Sequence, residues 1–151
     1  MNMINESRLF QDKLVGIRRD LHRIPEIGFT LPKTRKYIID RLAAMGIEFT
    51  TNEEDSGLIA YINKGKPGKI LVFRADMDAL PITEETGASY ASEHDGMMHA
   101  CGHDAHIAML LHNTTHFCDL FIRNICLLIP HTADRAFSAP ETSPHPPARI
   151  R

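Results

Sequence analysis

The segment His99-Ala100-Cys101-Gly102-His103-Asp104-Ala105-His106 sets a thiol, three imidazoles and a carboxylate side by side. Thiolate and imidazole ligate zinc-like divalent ions, and a neighbouring carboxylate can bridge ions or hold an imidazole by a hydrogen bond. Residues two apart do not share a helix face, so Cys101 and His103 can converge on one ion only from a turned or extended loop. Gly102 between them permits that bend. A plainer reading stands beside this one: a capped helix carrying surface histidines. Six of the nine histidines lie between His94 and His116, a density that suggests metal or proton chemistry.

A second constellation is Asp76-x-Asp78. Two carboxylates in a loop can bind a metal or fix a ligand histidine, although Asp is also an ordinary turn and cap residue. Leu80 and Pro81 constrain the loop's exit, and the His-rich segment follows after one further connection, so the two constellations are expected to share a cleft. A third stretch, Arg18-Arg19-Asp20-Leu21-His22 through Phe29, reads by periodicity as the solvated face of a helix, with His22 ambiguous. Cys118 and Cys126 have no metal-ligand spacing and read as inert thiols. P-loop, paired CxxC, HExxH, GxSxG and dinucleotide-glycine patterns are absent.

These residues need elements to position them. Leu9, Phe10, Leu14, Ile17 and Leu21 recur at helical spacing, which predicts an amphipathic helix over 7–22 with Ser7 as its cap. Thr30 and Pro32 mark the entry of a second helix that runs to Met45 and is stopped by Gly46. Strands are expected at 47–50, 57–62 and 70–73, the last two joined by a Gly65-Lys66-Pro67-Gly68 turn. The run Ile70-Leu71-Val72-Phe73 is apolar on both faces, which predicts a central, doubly covered strand whose end carries the Asp76/Asp78 loop. A third helix starts at Asp104 or Ala105, with Asp104 a possible cap, and takes in Ile107, Ala108, Leu110 and Leu111.

Past Leu111 the texture changes, and five of the nine prolines fall at or after Pro130. Residues 1–111 are therefore read as a domain and 112–151 as an aberrant, irregular tail, in which Ile125 to Ile129 could form a strand or helix turn. The shift suggests an interrupted reading frame. At 151 residues there is room for one ordinary domain; 43% apolar and 24% charged residues suit a globular core, and a net charge of -2 gives no basic field for nucleic acid or anionic membrane. No signal-peptide pattern or spanning run is seen, and an odd number of cysteines suits a reducing compartment, so a cytoplasmic location is expected.

Taken in order, Arg18-Arg19-Asp20-Leu21-His22 with Pro25-Glu26-x-Gly28-Phe29, then Phe73-Arg74-Ala75-Asp76-Met77-Asp78-Ala79-Leu80-Pro81, then Met98-His99-Ala100-Cys101-Gly102-His103-Asp104-Ala105-His106, resemble the N-terminal part of the metal-dependent amidohydrolases of the aminoacylase, hippurate hydrolase and carboxypeptidase G superfamily. The resemblance implies an α/β fold, an incomplete phosphopeptidase-like catalytic domain with a mixed sheet flanked by helices, and a centre for two divalent ions, zinc or manganese. It implies Cys101 and His103 as metal ligands, Asp78 in the catalytic set as the residue orienting a catalytic group, and Asp76, Asp104 and His106 in or beside the ligand shell. The implied substrates are small N-acyl amino acids of hippurate type. Members of that family are considerably longer. Their general-base glutamate belongs to an adjacent pair that follows the His-rich segment, whereas Glu84-Glu85 precedes it, so no residue here is assigned as the base. The chain alone is therefore expected to be inactive. The alternative is a non-catalytic metal-binding or interaction fragment that associates with itself or with a full-length relative.

Overall fold

The computed structural model describes residues 10–51, 53–65, 70–117 and 125–129. The chain runs α1 (Gln11–His22), α2 (Pro32–Ala44), β1 (Glu48–Thr51), β2 (Leu58–Ile62), β3 (Leu71–Arg74), α3 (His103–Phe117) and β4 (Ile125–Ile129). The strands form a four-stranded sheet in the order β1-β2-β4-β3. β1 pairs antiparallel with β2, β2 antiparallel with β4, and β3 parallel with β4, so the sheet is mixed, as expected.

The helix ends follow local chemistry. Ser7, the expected cap, lies outside the described residues; α1 is preceded by Phe10, which makes no side-chain cap bond. At α2 the first helical residue is Pro32, which has no N–H to satisfy. The next two N–H groups, of Lys33 and Thr34, donate to the Glu26 carboxylate at 3.2 and 2.9 Å. Glu26, rather than Thr30, thus closes this helix end. Glu26→Ala should lower stability by about 1 kcal/mol, the usual worth of a helix cap, read as a fall in the denaturant midpoint. At the other end Gly46, with φ +68, takes the left-handed conformation. Its N–H bonds Ala43 O at 3.0 Å while Ile47 N–H bonds Leu42 O at 3.0 Å, a paired closure that needs a residue tolerant of positive φ.

The core is built by Ile17 and Leu21 of α1, Ile38 and Leu42 of α2, Leu58, Ala60 and Ile62 of β2, and Ile107, Ala108 and Leu111 of α3, with Ala75 and Met77 from the segment after β3. Each buried Leu or Ile side chain contributes about 1.5–3 kcal/mol.

One expectation is corrected. The strand buried on both faces is β2, where Leu58, Ile59, Ala60 and Ile62 are all buried; among the described residues β3 is the edge, with Leu71 and Val72 44% and 55% exposed. A run apolar on both faces signals burial only when neighbours flank it on both sides, and β4, from far along the sequence, takes the place between β2 and β3. The third helix continues past Leu111 to Phe117, and Ile125–Ile129, expected as a strand or a helix turn, forms β4. Residues 130–151 lie outside the described residues. Among the described residues no helix is long and apolar enough to cross a membrane.

Candidate metal centre

From Ala75 to Ala79 the chain is extended and its side chains alternate. Ala75, Met77 and Ala79 are buried at 2%, 0% and 4% exposure, so Asp76 and Asp78 share the opposite side. Two main-chain attachments hold this segment: Ala79 N–H donates to Glu26 O at 2.8 Å, and Leu80 and Met98 exchange bonds of 3.0 Å each. The second attachment brings the aspartate segment beside the residues that open the His-rich motif. The two segments that carry the aspartates and the histidines therefore lie side by side.

Gly102 makes the turn into α3 with φ +84, a left-handed conformation that an L side chain adopts only with strain. A Cβ there would meet no heavy atom within 4 Å, so the demand is torsional rather than steric. Gly102→Ala should therefore cost about 1–2 kcal/mol, measured by chemical denaturation. Directly after it, His103 opens α3 and its Nδ1 donates to the backbone carbonyl of Asp78 at 2.9 Å. A carbonyl can only accept, which fixes the tautomer and leaves Nε2 with a free lone pair. The Asp78 Oδ1 atom lies 3.1 Å from the same Nδ1 but off the line of its N–H, and this buried oxygen has no hydrogen bond of its own.

Asp76 accepts from Arg74 Nε at 2.9 Å. Cys101 is an exposed free thiol. His106 is exposed, with its ring centroid 6.0 Å from that of His103. Asp104 is fully buried and turned towards α1: its Oδ2 accepts from Arg18 Nε at 2.9 Å and from His22 Nδ1 at 2.6 Å, and its Oδ1 from Ala105 N–H at 2.9 Å. Those bonds engage both carboxylate oxygens within the protein.

Sequence reasoning missed this second polar cluster. His22 is only 2% exposed, not part of a solvated face, and its Nε2 lies 3.2 Å from Glu84 Oε1. Burial pushes the Glu84 carboxyl up, yet the bonds it accepts from Thr86, from the Ser92 N–H and from His22 outweigh this and hold it below the ordinary value. His99 is 3% exposed, and neither ring nitrogen has a hydrogen-bond partner among the described residues. Burial drives its pKa down to about 4, so the ring is neutral at pH 7.

The donor chemistry fits a divalent ion in kind: a thiol, and an imidazole whose far nitrogen is anchored so that the near one is free. The number of donors is small. Among the described residues no group of three or more His, Cys, Asp and Glu side chains is placed to hold an ion.

Comparison with known proteins agrees with the fold and the motifs. Residues 72–124 match the Peptidase family M20/M25/M40. The N-acetyldiaminopimelate deacetylase of Listeria innocua is 44% identical over 107 residues, 70% of this chain and 29% of the relative. A structure from methicillin resistant Staphylococcus aureus, provisionally described as an aminohydrolase, superposes with a TM-score of 0.79 at 40% identity over 87% of this chain and 36% of the other. The Bacillus subtilis YXEP protein, a dinuclear metal binding peptidase of the M20 family, superposes with a TM-score of 0.75 at 35% identity over 82% of this chain and 36% of the other. The chain thus spans about a third of the length of these relatives. By its motifs, its mixed sheet and these matches, the chain is similar to part of the proteins of the peptidase family M20/M25/M40.

Proposed function

We propose that this chain supplies one side of a divalent-metal site for hydrolysis of the amide bond of small N-acyl amino acids, hippurate-like or N-acetylated, and that alone it has little or no turnover. In this reading Cys101 and His103 are metal donors and Asp78 is the residue that orients His103. Asp76 and His106 belong to the same two segments as Asp78 and His103, and Asp104 holds the first turn of α3 from behind. When bound, a zinc or manganese ion lowers the pKa of a water and polarises the amide carbonyl. The chain's own contribution is to hold the His103 ring in one tautomer and to place a thiol two residues away from it. The observation that supports the reading is the His103 Nδ1 bond to Asp78 O, which leaves the Nε2 lone pair available to an ion. The amide-hydrolysing name of the Listeria relative and the dinuclear metal site named for the Bacillus protein support it. A cytoplasmic setting fits the free thiol at Cys101.

A second reading, a metal-binding fragment that associates with itself or a full-length relative, is favoured by the small donor number. Titration of the purified chain with Zn2+ or Mn2+, with and without hippurate or an N-acetylated amino acid, separates the two. Metal-dependent release of free amino acid establishes the hydrolase on this chain; uptake without release supports the fragment; no uptake overturns both.

A further inference from the structure

His22 joins three parts of the molecule. Its Nδ1 donates to Asp104 in the first turn of α3, its Nε2 lies against Glu84 in the 81–98 segment, and it is itself the last residue of α1. Glu84 is tied within its own segment by bonds from Thr86 Oγ1 at 2.5 Å and Ser92 N–H at 2.7 Å. Tyr90 of the same segment meets the Arg18 and Arg19 guanidinium groups at 5.2 and 4.7 Å and the edge of His22 at 5.7 Å. The side chains of His22, Asp104 and Glu84 are 2%, 0% and 4% exposed, so these charge-assisted bonds are shielded from water.

Successive side chains on an α-helix point about 100° apart, so fixing one residue of the first turn fixes the direction of the next. Asp104 is bound inwards to Arg18 and His22 while His103, one residue earlier, faces Asp78. Apolar contacts from Ile107 and Leu111 hold the helix down but leave its rotation less defined than directed bonds do. We propose that His22 is a positioning residue: by tying Asp104 to α1 and to Glu84, it sets the rotation of the first turn of α3 and hence the direction in which His103 and Cys101 present their donor atoms. The inference rests on the reading of those two residues as metal donors.

The test compares the wild-type chain with His22→Leu, which keeps bulk, and His22→Asn, which keeps a donor towards Asp104. One readout needs no metal: the alkylation rate of Cys101, followed on its own peptide by mass spectrometry. The other is Co2+ binding with its thiolate charge-transfer band. His22→Leu is expected to change the Cys101 rate and to weaken Co2+ binding about 10- to 100-fold with a shifted band, the usual loss when the support of a ligating residue is removed. His22→Asn should recover most of both. Should His22→Leu not fold, Arg18→Met, which removes another bond to Asp104 from a partly exposed position, is expected to move both readouts the same way. A folded variant that leaves the Cys101 rate and the band unchanged overturns the proposal, as does His22→Asn behaving like His22→Leu. If the wild-type chain takes up no Co2+, the metal reading fails, and the Cys101 rate still decides the positioning role.

Discussion

Asp78→Ala weakens binding of a divalent ion by about 10- to 100-fold if His103 is a donor, the range seen when the group behind a ligating histidine is removed. The bond from His103 Nδ1 goes to the Asp78 main-chain carbonyl, which the substitution leaves in place, while the Oδ1 atom 3.1 Å away is lost. The loss should therefore lie towards the smaller end of that range. Asp78→Asn divides charge from shape: it keeps an oxygen near Nδ1 but removes the negative charge that favours an ion on the far nitrogen, and it should fall between Ala and wild type. Because the Asp78 side chain is about a fifth exposed, neither change should cost more than about 1 kcal/mol of stability, so affinity and folding can be read apart. Competition titration with a chromophoric chelator gives the affinity and thermal melting the stability. Equal affinity in all three proteins would remove the Asp78 carboxylate from the site.

How much of this could be read from the residues depends on whether the signal was local. Gly102 between Cys101 and His103, Gly46 after a helical pattern and Pro32 at a helix start each report their own backbone, and each stands at the turn, helix end or helix start expected of it. The alternation that buries Ala75, Met77 and Ala79 while turning Asp76 and Asp78 the other way is equally local. Placement in the sheet is not. β3 has the composition of a central strand yet lies at the edge, because its position depends on β4, which a pattern within four residues does not encode. His22 stays ambiguous in the sequence for a related reason. It is next to Leu21 and one turn beyond Arg18, on the border of the apolar stripe, where periodicity alone reads a solvated charge. What buries it is Asp104, 82 residues away, and Glu84, 62 residues away. The one available signal was that Arg18 and His22 are spaced by four, a pair able to grip one carboxylate from the same helix face.

The largest stability loss is expected at that carboxylate. Asp104 is completely buried and accepts from Arg18, His22 and the Ala105 N–H, so Asp104→Leu leaves a buried imidazole donor and a guanidinium without their acceptor. Removing one member of a buried pair costs about 3–5 kcal/mol; Arg18, 31% exposed, can turn to water, which places this case near 3 kcal/mol. For a chain of this length that is a fall in melting temperature of roughly 6–12 °C. Asp104→Asn should cost about 1–3 kcal/mol, since its amide oxygen can replace only one carboxylate oxygen and its NH2 group then faces either the Ala105 N–H or the Arg18 and His22 donors. The double change His22→Leu with Asp104→Leu is the more informative variant. Replacing a whole buried polar group by apolar side chains is often close to neutral, so the double variant should be more stable than the two single losses added together, a coupling of about 0.5–3 kcal/mol. Denaturant unfolding of the four proteins measures it. Strict additivity would mean that His22 and Asp104 do not act on each other, and a loss under about 0.5 kcal/mol in Asp104→Leu would mean that the carboxylate is not buried among its donors at all.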